Sequence, residues 1–208
     1  HTREVFKKVG KDLISDLVRS KGMNVDYDLI DKLADILVRY TIGFGLIELI
    51  LKDPKVQDIS INSPASMTQI TIIHADYGEC VTNITITPMD VDAWATKLRL
   101  MSGRPLDESN PVLDAELLVP GSRSRVAVIQ PPLSPSGLAF SFRRHRDRPW
   151  TLPLFVKNRM LTHLAAGLLD FIIQGGRTML VAGTRSSGKT SLLGSLMLEI
   201  IPKYRVIV

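Results

Sequence analysis

The chain has 208 residues, 45% of them hydrophobic and 23% charged, with a formal net charge of +5. That length and apolar content support one large or two small domains with a real core, and they exclude a disordered or low-complexity chain. A single cysteine, Cys80, excludes an internal disulfide and a Cys-based metal site, and no run reaches the roughly 18 uncharged apolar residues of a membrane span.

Residues 3–20 place Val5, Phe6, Val9, Leu13, Ile14, Leu17 and Val18 at helical spacing, and Gly22 stops the run. Asp26 opens a second helix through Leu29, Ile30, Leu33, Ile36 and Leu37, broken by Gly43 and Gly45. Leu46 to Lys52 reads as a short third helix closed by Asp53-Pro54. These helices are expected to be plain amphipathic flanks. The β-branched runs 56–61, 69–74 and 79–85 predict strands, separated by Asn62-Ser-Pro64 and Asp76-Tyr-Gly78. Pro88 to Met101 predicts a helix, with proline in its first turn and Gly103 past its end. Runs 113–119, 125–130 and 138–142 predict further strands, punctuated by Pro120-Gly121 and Pro131-Pro132. Helices beside turn-connected strands predict an α+β N-terminal domain over 1–145.

The charged, proline-bearing stretch from Arg143 to Pro153 marks a linker, set at 146–155. The pattern then changes. A helix over 161–174, a strand over 177–182, a glycine-rich loop, a helix over 190–201 and a strand opening at Arg205 predict the start of an α/β domain over 156–208. The first residue is His and the last four look like the opening of a strand, so both ends read as cut from a longer polypeptide.

The loop carries the chemistry. Gly183, Thr184, Arg185, Ser186, Ser187, Gly188, Lys189 and Thr190 spell G-x-x-x-x-G-K-[ST], the P-loop, with Ser191 next on the helix. The glycines let backbone curl close to phosphate. Loop N–H groups and the helix N-terminus then point at anionic oxygens. Lys189 would reach the β- and γ-phosphates of ATP, and the Thr190 hydroxyl would ligate Mg²⁺. Upstream, arginine clusters at Arg104, Arg123, Arg125, Arg143, Arg144, Arg146 and Arg148. A planar guanidinium suits a triphosphate; the competing reading is solvated strand ends and a charged linker, preferred for Arg146 and Arg148. Nucleic acid is not expected as a partner, because Trp150 is the one aromatic interleaved with this cluster after Phe142.

Gly43-Phe-Gly-Leu-Ile-Glu48 followed by Asp53-Pro-Lys-Val-Gln-Asp-Ile-Ser-Ile-Asn62 resembles the N-terminal domain of the type II/type IV secretion ATPases. Met101-Ser-Gly-Arg-Pro-Leu-Asp-Glu-Ser-Asn-Pro111 and Phe140-Ser-Phe-Arg-Arg-His145 are similar to the archaeal branch, which drives pili and archaella. The resemblance runs from about residue 26 to the end, with Arg185 and Ser186 departing from the common loop. It implies an N-terminal domain followed by a RecA-like domain, a homohexameric ring, ATP bound between the domains, and Arg125 and Arg143 approaching its phosphates. It further implies a membrane platform protein as partner and a cytoplasmic place at the inner face of the membrane. The acidic box, the Walker B region and the glutamate base are expected beyond Val208, so the fragment alone is expected to be nearly inactive. The alternatives are a non-catalytic docking module and a RecA-type motor acting on nucleic acid.

Overall fold

The computed structural model describes residues 2–146, 149–184 and 187–206. It divides into two compact units, His1–His145 and Arg146–Val208.

The first unit opens with helices α1 (Thr2–Ser20) and α2 (Tyr27–Thr41), which pair as a hairpin. Gly10 is buried where they meet, and a Cβ there would stand 3.2 Å from the Leu37 side chain. One edge of the seam is polar: Lys7 pairs with Asp31 at 2.9 Å and Asp35 at 2.8 Å, and Lys11 also pairs with Asp31. The apolar stripes are only partly used. Phe6, Val9, Leu13 and Leu17 on α1 stay exposed, as do Leu29, Leu33, Ile36 and Tyr40 on α2. The expectation of plain flanking helices understated this surface, because periodicity reports an apolar face and not what covers it.

A short α3 (Leu46–Ile50) follows. Its Glu48 is buried, accepting from the Phe44 N–H at 2.9 Å and from both ends of the Arg3 guanidinium. Six strands then form one antiparallel sheet in the order β3-β2-β1-β6-β5-β4. They are β1 (Val56–Ile61), β2 (Thr71–His74), β3 (Gly78–Val81), β4 (Val112–Val119), β5 (Ser122–Ile129) and β6 (Ala139–Arg144). β2 and β3 are shorter than the predicted runs. The Thr82 hydroxyl donates to the Ile70 carbonyl at 2.9 Å and accepts from the Ile84 N–H at 3.3 Å. The Thr82 N–H also donates to the Ile70 carbonyl at 2.9 Å, so backbone pairing continues past the strand ends with the side chain added to it.

Alternation decides which face is dry. Val126 and Val128 on β5, Phe140 and Phe142 on β6, and Ile59 and Ile61 on β1 point into one core with Val91, Trp94 and Leu98 of α4 (Pro88–Ser102). Trp94 meets Phe140 edge-on, with ring centroids 6.2 Å apart. α4 starts with a capping box between Thr87 and Asp90. The alternate residues of the same strands leave a polar, exposed face.

The second unit holds α5 (Leu152–Lys157), α6 (His163–Gln174) and α7 (Lys189–Met197). α5 overlaps the end of the stretch read as a linker, 152–155, and runs on to Lys157. Thr151 caps it, accepting from the Leu154 N–H, and Pro153 sits in the first turn, where proline suits a helix. The predicted strand 177–182 does not form, and Leu180 is 89% exposed. Arg205 and Val206 are not in a strand either, and residues 207 and 208 lie outside the described residues. A strand needs a hydrogen-bonded neighbour, and no other strand stands among the described residues of this unit. The α+β class read from the sequence stands for the first unit, and the second holds the P-loop sequence among helices, with no strand among its described residues.

Candidate nucleotide site

The loop between residues 176 and 189 turns into α7 through Gly188, whose φ of 84° and ψ of 14° place it in the left-handed region. That conformation favours glycine and carries no capping side chain, so the first N–H groups of α7 are left to face a ligand. The loop is also close at Gly183: a Cβ there would lie 2.6 Å from the Ser187 hydroxyl, a side-chain tip that would have to turn aside. The Ser187 N–H donates to the Thr184 carbonyl at 3.3 Å. The Lys189 ammonium donates to the same carbonyl, so it is folded over the loop. Thr190 and Ser191 lie in the first turn of α7, with Thr190 exposed. Arg185 and Ser186 lie outside the described residues. A cavity of about 200 Å³ adjoins the loop, lined by Phe155, Met160, Leu161, Val181, Lys189 and Leu192. The donor set suits a polyphosphate. A phosphate oxygen offers Lys189 a charge-assisted bond about twice as strong as one to a neutral carbonyl.

The first unit supplies a basic row on the exposed sheet face. Arg125 on β5 stands directly opposite Arg143 on β6. Asp58 on β1 stands opposite Arg143, and Glu116 on β4 opposite Arg125. Acid, arginine, arginine, acid therefore run in line across four strands. The Arg143 Nε reaches Asp58 at 2.8 Å, and the Arg125 Nε contacts both Asp114 oxygens at 2.9 and 3.0 Å. The Asp114 carboxyl is held below its ordinary range by the Arg125 hydrogen bond, and Arg125 is raised in turn. Arg104 joins them, donating to the Asp114 carbonyl at 2.7 Å. A concavity of about 580 Å³ lies here, lined among others by Arg104, Asp114, Glu116, Arg125 and His145.

The remaining arginines do other work. Arg144 donates to the carbonyls of Leu51, Asp53 and Gly121 at 2.5, 3.0 and 3.2 Å, tying two loops to β6. Arg123 pairs with Glu116 at 2.5 Å. Arg146 lies over the Trp150 ring, 5.1 Å from its centroid, and Arg148 lies outside the described residues. Sequence reasoning missed the carboxylates. Asp114 and Glu116 alternate on the polar face of a predicted strand, and that period-two spacing was the available signal.

These features define a P-loop protein with an α+β unit ahead of the loop that sets two arginines side by side on its sheet. No family model matches the chain. It is 28% identical over 177 residues to the uncharacterised protein MJ0900 of Methanocaldococcus jannaschii, covering 85% of this chain and 31% of that protein. It is 28% identical over 135 residues to the type IV secretion system protein PtlH of Bordetella pertussis, covering 55% and 39%. Among solved structures, the VirB11 ATPase of the Brucella suis type IV secretion system aligns with a TM-score of 0.47 at 21% identity, over 80% of this chain and 56% of that one. The chain thus spans about a third of the length of the two curated relatives. The printed name of PtlH, a type IV secretion system protein, agrees with the resemblance carried by the sequence motifs. No helix among the described residues is long and apolar enough to cross a membrane.

Proposed function

We propose that this chain is the nucleotide-binding N-terminal portion of a hexameric motor ATPase that powers type II/type IV secretion or assembles a pilus- or archaellum-like filament. The observation that carries the reading is the uncapped N-terminus of α7 at Gly188-Lys189, where the Lys189 ammonium folds back over the loop. In this reading the loop from Gly183 to Ser191 binds ATP, Lys189 holds the β- and γ-phosphates, and Thr190 ligates Mg²⁺. Arg125 and Arg143 bind phosphate. Both are held by carboxylates, which keeps two like charges on neighbouring strands until an anion recruits them. The motor works at the cytoplasmic face of the membrane on a platform protein. The base that activates water lies outside this chain, so the 208 residues alone turn over ATP slowly or not at all.

The test is Lys189→Ala in the full-length protein. Loss of a charge-assisted contact worth about 1.5–3 kcal/mol weakens ATP binding roughly 10- to 100-fold. Undiminished ATP turnover overturns the role of Lys189. Robust turnover by the 208-residue chain overturns the placement of the base.

A further inference from the structure

One buried carboxylate stands where the helical hairpin joins the sheet, with two cations close to it. Glu48 of α3 is buried and accepts from Arg3 of α1, with Nη1 to Oε2 at 2.9 Å. Lys97 of α4 donates to the Gly43 carbonyl at 2.6 Å and lies over the Phe44 ring. Gly43 in turn lies against the Glu48 carboxylate, so the acid and the ammonium flank one residue. Burial lowers Lys97, while the Glu48 charge raises it and the Arg3 charge lowers it further. The hairpin itself stands outside the continuous core, which runs from Phe44 to Phe142 and takes no side chain from α1 or α2. Its own seam closes where Gly10 meets Ala34 and Leu37. We propose that α1–α2 is a hinged arm, latched by Arg3 on Glu48 and turning at Gly43–Gly45, and that Lys97 carries the Glu48 charge when the latch opens.

Latch and hinge lie at the same end. α1 begins at Thr2, α2 ends at Thr41, and the Lys7–Asp35 and Lys11–Asp31 pairs set the two helices antiparallel. Arg3 therefore sits beside the hinge, and the turn at 21–26 is the free tip. The hinge requires glycine. Gly45 has φ 57° and ψ −127°, backbone that side chains rarely adopt. A Cβ at Gly43 would stand 2.7 Å from the Arg39 carbonyl. A swing of the hairpin as one body keeps its seam and leaves the core complete. It removes the Arg3 bond, and a buried carboxylate left unpaired is strongly destabilising. Arg3 as the sole cation would hold the arm shut. With Lys97 beside Gly43 and the Phe44 N–H on Glu48 at 2.9 Å, the carboxylate keeps a cation and a donor in the open state. The 15 residues of α2 span about 22 Å, so a swing of about 15° carries the tip about 6 Å. The arm uses none of the residues proposed to hold nucleotide and stands apart from that reading.

The test places spin labels on Lys21→Cys at the tip and Glu79→Cys on β3, both exposed positions, in a Cys80→Ser background of the 208-residue chain. Pulsed dipolar measurement is expected to give one narrow distance. Arg3→Gln adds a second population displaced by about 6 Å, and Arg3→Lys returns the single one. A second label pair inside the hairpin, Asp16→Cys with Lys32→Cys, keeps one distance throughout. An unchanged tip distance in Arg3→Gln overturns the latch. Broadening of the inner pair overturns the rigid arm, because it shows the hairpin itself coming apart. Melting temperature tests Lys97. Lys97→Met and Arg3→Gln together are expected to lower it by more than the sum of the two single variants, because either cation alone serves Glu48. Additive losses overturn the role of Lys97.

Discussion

Single atoms set the limits at two places. At Gly183 an added methyl would meet the Ser187 hydroxyl at 2.6 Å, so Gly183→Ala makes the Ser187 side chain turn aside. Nucleotide affinity measured by fluorescent-analogue titration is expected to fall less than with Lys189→Ala, which removes a charge, while the melting temperature moves little. Glu48 is a different kind of residue. It is 4% exposed and accepts from Arg3 and from the Phe44 N–H. Glu48→Ala strands both donors, and urea unfolding should show a loss of about 2–3 kcal/mol, below the upper range for buried pairs because Arg3 reaches solvent. Nearby, burial lowers Lys97, whose ammonium donates to the Gly43 carbonyl at 2.6 Å. The motif Gly43-Phe-Gly-Leu-Ile-Glu48 was legible as a family mark. Its physical content, a buried carboxylate that anchors the first helix, needed the fold.

Elements add what residues cannot. Arg125 and Arg143 are 18 positions apart in sequence and become direct cross-strand neighbours only through the β5–β6 register. Their mutual repulsion and their carboxylate pairs nearly offset one another, each worth about 0.2–1 kcal/mol. Arg143→Gln should therefore change thermal stability by less than about 0.5 kcal/mol while weakening phosphate binding in the full-length protein. A parallel loss of both would make Arg143 structural. The helical hairpin titrates. Asp31 is lowered by its hydrogen bonds to Lys11 and Lys7. A depressed carboxyl binds its proton first in the unfolded chain, so its contribution is complete above the ordinary carboxylate range and disappears as pH falls through the folded value. Amide exchange in α1 and α2 should quicken on acidification below that range, and Asp31→Asn should abolish the pH-dependent part.

For the whole molecule, the contrast lies between the two units. The first has a sheet with one dry face and a continuous core. The second leaves residues 177–184 without ladder bonds and Leu180 open to solvent. Limited trypsin digestion should cut after Arg177 before it cuts within β1–β6, and the N-terminal product should stay folded. Equal protection through residue 206 would show that the second unit is as well packed as the first. Secondary structure was largely legible, because apolar periodicity and Pro/Gly punctuation are local: β1 and α4 fall within a residue of the predicted spans. Prediction failed at 177–182, where an apolar run reads as a buried strand but a strand is a relation between two segments.

The sequence by itself determined the class of chemistry. A P-loop is a contiguous eight-residue pattern whose donors come from its own backbone, so the phosphate site proposed at Gly183, Gly188, Lys189 and Thr190 is read without help from distant residues. Only the tertiary structure decided which arginines stand side by side, which carboxylates restrain them, and which apolar helix faces remain uncovered. Those facts depend on strand register and helix packing, which join residues far apart in the chain, and no local pattern records them.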